Sequence, residues 1–271
     1  MIRTMAGKLV KGIKGLLLML KYPSALQRIY LDENVHRNEV IRKYNLPQGL
    51  PIVDIADLLG TLDENITPLS FLEGTSSPLD MLLLKGLAKR FPAGEYFEIG
   101  TWRGESVAIS ASAGIHCATF NLSDVQLREK NFSEKYISLH GFYSKQNSAI
   151  EHLYGDSRTF DFKSLNKKFD LIFIDGNHNF EFVKNDTAKM FEMLKDERSL
   201  IVWHDYGDTP ESVRWEVLHG MLEATPKQYH KNLYRVSNTQ CAIFTRENIK
   251  SYFSEFPQTP RHKFSVHIKA E

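Results

Sequence analysis

The stretch Tyr96-Phe97-Glu98-Ile99-Gly100-Thr101-Trp102-Arg103-Gly104-Glu105-Ser106 constrains this chain more than any other. It reads as a short apolar strand that ends in an acidic residue, turns through two glycines and enters a helix near Glu105 that carries Ala108, Ile109 and Ala111. A glycine turn between strand and helix suits a nucleotide site. Glycine lets the backbone approach a ligand, and the unpaired N–H groups of the helix start face whatever lies over the turn. The spacing is Glu-x-Gly-x-x-x-Gly, not the Gly-x-Gly-x-x-Gly of dinucleotide folds. Without a third glycine for a pyrophosphate, the expected ligand is a nucleoside with an uncharged or zwitterionic tail.

Further strands follow at α/β spacing. Cys117–Leu122 is short, apolar and separated from the first strand by a helix, which implies a β-α-β crossover and a parallel sheet. Ile150–Gly155 reads as a third strand and closes in Gly155-Asp156-Ser157. In Phe169–His178, four apolar residues bounded by Asp170 and Asp175-Gly176 make a fully buried strand with Asp175 at its carboxyl end. A helix over Glu181–Leu194 leads to Leu200–Tyr206, a fifth strand that delivers His204 and Asp205 to the same sheet edge. Ligands of open α/β sheets bind at that edge. Beyond it, a helix is expected from Pro210 to about Glu223, a hairpin from Leu233–Val236 and Cys241–Phe244, and a last edge strand over Lys263–Ile268, where apolar and polar residues alternate.

Asp175, His204 and Asp205 offer two hard oxygen ligands and an imidazole, with His178 on the neighbouring loop. Such a set suits a divalent ion such as Mg²⁺, which would lower the pKa of an acceptor hydroxyl. Without a metal, His178 or His204 is the candidate general base, since an imidazole titrates near neutrality. A structural hydrogen bond at a strand end is the competing reading for each histidine. For Asp175, packing offers little explanation.

These elements together resemble the class I S-adenosylmethionine-dependent methyltransferases, whose motif I has the glycine pattern above. More closely, Glu98 to Tyr206, with its Asp-Gly-x-His and His-Asp-Tyr, is similar to the bacterial family that groups macrocin-type O-methyltransferases with cephalosporin-hydroxylase-like proteins. The resemblance covers roughly residues 70–245. It implies a doubly wound, Rossmann-like, seven-stranded, mostly parallel sheet that ends in an antiparallel hairpin. It also implies S-adenosylmethionine bound across Glu98, Gly100, Thr101, Trp102, Gly104, Ser106, Asn121, Asp156, Ser157 and Asp175. Asn121 stands where the family usually has an acidic residue for the ribose, and Asp156 where a carboxylate holds the adenine amino group. Asp124 is the other candidate for the ribose. The implied catalytic residues are Asp175, His178, His204 and Asp205, and the implied metal ligands Asp175, His204 and Asp205. His204 occupies a position that is often acidic in metal-binding members. The acceptor is expected to be a small-molecule or glycan hydroxyl. A non-catalytic member of the fold, favoured by Asn121 and His204, and a nicotinamide oxidoreductase are the alternatives.

With 271 residues, 42% hydrophobic and 25% charged, the chain has room for one sizeable domain, taken as 76–271, plus a helical N-terminal extension, 1–75. Lys+Arg at 34 nearly balance Asp+Glu at 33, so no nucleic-acid partner is expected. The two cysteines, Cys117 and Cys241, sit in apolar runs and indicate a reducing, cytoplasmic setting. In the extension, Leu9, Val10, Ile13, Leu16, Leu17 and Leu20 share one helical face, and Lys8, Lys11, Lys14 and Lys21 the other. The apolar run Leu16–Leu20 is too short to cross a bilayer. The helix either lies on an anionic inner membrane face or packs on the domain or on a second subunit in a homodimer. Helices capped by Ser24 and Asp32, and one opened by Ser77-Pro78, complete a lid or dimer surface beside the cofactor site.

Overall fold

The structure, a computed structural model, describes residues 2–21, 33–60 and 62–270. The helix expected over 24–30 and the cap at Asp32 lie outside the described residues. In chain order the elements are α1 (Ile2–Lys21), α2 (Glu33–Tyr44), β1 (Ile52–Val53), α3 (Ile55–Leu59), α4 (Pro78–Ala88), β2 (Glu95–Ile99), α5 (Glu105–Ala111) and β3 (His116–Asn121). There follow α6 (Asp124–Glu129), α7 (Glu134–Leu139), β4 (Ile150–Tyr154), β5 (Leu171–Ile174), α8 (Phe180–Met193) and β6 (Leu200–Trp203). The last are α9 (Trp215–Ala224), β7 (Leu233–Val236), β8 (Ala242–Phe244) and β9 (Ser251–Tyr252).

The strands form one sheet in the order β4-β3-β2-β5-β6-β8-β7-β1-β9. From β4 to β6 the pairs are parallel, and β8 runs antiparallel to both β6 and β7. The sheet is therefore the doubly wound, mostly parallel one that the sequence implies, but it has nine strands rather than seven. The two additional strands are short: β1 pairs parallel with β7, and β9 antiparallel with β1. The stretch before residue 75, read as helical and connective, thus supplies a strand. The edge strand expected at Lys263–Ile268 does not form. That place belongs to β9, and Val266 and Ile268 are exposed. The helix expected from Pro210 begins only at Trp215.

Residue parity explains why helices cover both faces. Tyr96, Leu171, Phe173, Leu200, Val202 and Ile243 face one cluster with Leu83 and Leu87 of α4 and Val107 of α5. Phe97, Ile99, Ile172, Ile174, Ile201 and Phe244 face the other, with Val183 and Met190 of α8 and Val217 and Leu218 of α9. Alternate residues of each strand point to opposite faces, so a strand covered on both sides is apolar at nearly every position, Glu98 and Thr119 being buried exceptions. Burying each such side chain contributes roughly 1.5–3 kcal/mol.

The chain leaves β2 outward through β3 to β4, then returns to place β5 on the other side of β2. The helices that follow these two neighbouring strands, α5 after β2 and α8 after β5, lie on opposite faces, which opens a crevice at the strands' carboxyl ends. Gly100 follows β2 and Asp175 follows β5, so these two residues flank it.

Candidate functional site

A cleft of about 1010 Å³ opens over this crevice, more than one nucleoside needs. One half is lined by Gly100, Trp102, Asn121, Leu122, Asp156 and Ser157, the other by Asp175, His178, His204 and Asp205. Asp175 borders both.

The β2 turn is built for backbone contact. Gly100 has φ +104°, and a Cβ there would lie 1.9 Å from the Asp175 carbonyl oxygen. Its glycine is thus demanded by the approach of the β5 end as well as by the turn. Gly104 caps α5 at φ +78°, where a Cβ would meet Ser144 Oγ at 2.1 Å. Trp102 holds φ +40°, a costly position for a bulky residue, with its ring 4.6 Å from Tyr136 and the Arg103 guanidinium over it.

Four of the residues expected to bind cofactor do not line the cleft. Glu98 shares its strand face with Tyr96 and is fully buried beneath α5. It accepts hydrogen bonds from Tyr96 Oη (2.8 Å), Ser106 Oγ (2.9 Å) and Thr119 Oγ1 (2.7 Å). Burial pushes its carboxyl up to about 7 despite those bonds. Ser106 is committed to Glu98, Thr101 to Thr119 Oγ1 at 2.6 Å, and Gly104 to its packing on Ser144. These residues shape the turn from beneath, and Gly100, Trp102 and Arg103 are the ones that line the cleft.

On the far side, Asn121 ends β3 with a single long bond, Nδ2 to Leu122 O at 3.4 Å, so its amide remains available to a ligand. Asp124 is exposed in the first turn of α6 and does not line the cleft. Asp156 lines it with a carboxylate clamped by Arg158 at 2.7 and 3.1 Å, which holds its pKa down at about 2. Lys189 Nζ fixes that loop by donating to the carbonyls of Ser157, Arg158 and Phe160.

In the other half, Asp205 takes φ +52°, which turns its carboxylate back toward His204. His204 Nδ1 lies 3.1 Å from Asp205 Oδ2 and 3.3 Å from Asp175 Oδ1. His178 Nε2 and Arg214 Nη1 reach Asp205 at 3.2 and 3.3 Å. Behind the ring, Nε2 faces Asp80 Oδ2 at 3.4 Å. Burial disfavours the charged imidazole, but the three surrounding carboxylates outweigh it and hold the His204 pKa well above the usual range. Burial likewise opposes ionisation of Asp80, yet His204 and the Gln240 N–H, at 2.8 Å, keep its pKa low.

Asp80 is absent from the sequence-based set. Its only local signal is the Ser77-x-x-Asp80 capping box of α4, which does form, with Ser77 N donating to Oδ2 at 2.8 Å. Asp186, which also lines the cleft, had no signal beyond its helix, where burial raises its pKa.

The cluster fits a divalent ion. Ligands 2.1 Å from an octahedral ion and at right angles stand about 3.0 Å apart, near the separations of His204 Nδ1 from the two carboxylates. A proton on Nε2 toward Asp80 would leave Nδ1 as a donor, the outer-carboxylate arrangement common to metal-binding histidines. Without an ion, His204 is an imidazolium that bridges Asp80, Asp175 and Asp205.

A family model described as a methyltransferase domain matches residues 97–206, which run from β2 to just past Asp205. No curated protein matches the chain. Among solved structures, the S-adenosylhomocysteine-bound methyltransferase PaMTH1 of Podospora anserina is similar at 17% identity and TM-score 0.44, over 64% of this chain and 80% of that one. A candidate O-methyltransferase of Klebsiella pneumoniae is similar at 15% identity and TM-score 0.42, over 68% and 84%. A candidate methyltransferase of Bacillus halodurans C-125 is similar at 14% identity and TM-score 0.34, over 46% of this chain and half, 50%, of that protein's length. Identities this low leave the activity to be argued from the residues themselves.

Proposed function

We propose that the protein is a class I S-adenosylmethionine-dependent methyltransferase that acts on a hydroxyl of a small molecule or sugar. One observation carries this reading: Asp175, at the end of β5, borders both halves of a single cleft and lies against the Gly100 turn on one side and His204 and Asp205 on the other. A methyl donor and its acceptor need such adjacency, because holding two reactants together removes much of the entropic barrier to group transfer.

S-adenosylmethionine, when bound, supplies an electrophilic methyl group on a sulfonium. Asn121 would bond the ribose hydroxyls, the Asp156–Ser157 turn would hold the adenine edge, and the backbone around Gly100 and Trp102 would carry the amino-acid tail. Leu122 and Phe182 add apolar walls. Asp175, His204 and Asp205 hold the acceptor hydroxyl. A Mg²⁺ or Mn²⁺ ion in that triad would add positive charge that lowers the hydroxyl's pKa, and the imidazole favours the softer ion.

A second reading needs no ion, and the carboxylate cage around His204 favours it. A charged His204 cannot accept a proton, so the acceptor proton would pass to His178, which is 38% exposed and paired with Asp205. Calorimetric titration with S-adenosylmethionine and with NAD tests the proposal. Binding of the first alone supports it, whereas binding of NAD alone, or of neither, would leave an oxidoreductase or a non-catalytic module.

A further inference from the structure

No helix among the described residues is long and apolar enough to cross a membrane. Yet α1 leaves Leu16, Leu17 and Leu20 between 60 and 73% exposed. Its sequence holds Arg3, Lys8, Lys11, Lys14 and Lys21 and no acidic residue. Those five come out of the chain's 34 basic residues, so 29 face 33 acidic ones elsewhere. A cationic helix with open leucines is thus attached to a net-acidic body.

A second apolar surface frames the cleft. Phe71, Leu72 and Phe142 are 57 to 63% exposed, and Phe132, also exposed, lines the cleft itself. The loop that carries Phe71 and Leu72 is held firmly. Ser70 N donates to Glu105 Oε1 at 2.5 Å, Ser70 Oγ meets Thr75 Oγ1 at 2.7 Å, and Arg103 Nη1 donates to Glu73 O at 2.8 Å. Phe71 keeps φ +54°, a strained position for an aromatic residue. The Phe142 loop joins the same structure through Gly141 N to Trp102 O (2.6 Å) and Tyr143 N to Arg103 O (2.8 Å). Phe71, Leu72 and Phe142 therefore stand on fixed loops that reach the cleft through the neighbouring Glu73, Gly74 and His140, and Phe132 lines it, where water gives these side chains no partner.

We infer that α1 and this rim dock together on an anionic phospholipid surface, with the cleft opening toward the bilayer and taking as acceptor an amphiphile whose headgroup bears the hydroxyl. The acceptor clause rests on the methyltransferase reading; the docking clause does not. Charge selects the occupant. The lysines of α1 are drawn to an anionic bilayer while the leucines and phenylalanines enter the headgroup region.

The test is co-sedimentation of the full chain with phosphatidylcholine vesicles and with vesicles that also contain phosphatidylglycerol. Binding is expected to the anionic vesicles only, to weaken with salt, and to fall roughly tenfold or more in Leu16→Glu with Leu20→Glu and in Phe71→Ser with Leu72→Ser. Failure of the full chain to bind anionic vesicles at low salt overturns the docking. So does a dimer in solution that the helix variant splits while vesicles are ignored. Wild-type vesicle binding by the Phe71→Ser, Leu72→Ser variant overturns the orientation of the cleft and with it the amphiphilic acceptor. Calorimetry with S-adenosylmethionine on the same samples separates the two readings: lost cofactor affinity strikes the enzyme assignment, and lost vesicle binding alone strikes the docking.

Discussion

Asp80 in the first turn of α4 and His204 at the end of β6 face each other at 3.4 Å, although 124 residues separate them. That contact decides which imidazole nitrogen turns toward Asp175 and Asp205. An Asp80→Asn variant keeps the helix cap through its side-chain oxygen but loses the charge behind the ring. Mn²⁺ affinity is expected to fall about 10–100-fold, the usual effect of removing an outer-shell carboxylate. Unchanged affinity by calorimetry would separate Asp80 from the ion.

Methyl transfer should collapse in EDTA and return with Mg²⁺ or Mn²⁺, and Asp175→Asn should stay inactive in excess metal. Activity that persists undiminished in EDTA removes the ion from the mechanism. His178→Ala should then lower the rate by about 10²–10⁴, the contribution of a positioned general base.

Asn121→Asp is expected to tighten S-adenosylmethionine binding by about 0.5–1.5 kcal/mol through a charge-assisted bond to ribose. A flat or weakened isotherm would mean that the ribose is held by other groups of the cleft.

Glu98 gives a stability prediction. Its folded pKa of about 7 exceeds the ordinary 4.5 because burial disfavours the anion. The folded state therefore holds the proton more tightly, and stability should decline as pH rises from about 4.5 through 7, then level off. The full effect is on the order of 3 kcal/mol, at about 1.4 kcal/mol per pKa unit. Glu98→Gln should remove that component of the slope in urea titrations at pH 5 and pH 8. An identical slope in both proteins would show that the carboxyl titrates normally.

Gly100→Val should lower the melting temperature as well as abolish cofactor binding, because its Cβ would collide with the Asp175 backbone rather than with a ligand alone. A variant of wild-type stability and affinity would contradict the close approach of these two turns.

The sequence discloses the parallel strands well because each is a brief apolar run closed by a turn residue, as in Leu171–Ile174 followed by Asp175-Gly176. Both signals are local. Strand β1 was hidden because Ile52 and Val53 sit in a proline-punctuated connector, and only pairing with β7 makes them a strand. Alternation at Lys263–Ile268 misled for the opposite reason: a strand pattern becomes a strand only where it pairs, and this one lies beside no sheet edge, with Val266 and Ile268 exposed. Asp175, His204 and Asp205 were legible as strand ends meeting at one sheet edge. Asp80 was not, since its place depends on how α4 packs. For Glu98 the motif fixes the position in the turn, while strand parity, which the motif does not convey, aims its side chain into the core with Tyr96.

The outer edge of the sheet also sets an order of assembly. Ile52 can enter the sheet only beside Arg235, and Tyr252 only beside Ile52, while His262 then reaches back to Asp54 at 2.7 Å. Contacts so distant along the chain carry the largest loop-closure cost and form late. During synthesis the early segment must therefore wait, with Val53 and Ile55 uncovered, until β7 and then β9 have been made. This edge is a clasp that closes last, and amide exchange at Ile52 and Val53 should outpace that at Phe97 and Ile172, which belong to the strands the clasp encloses.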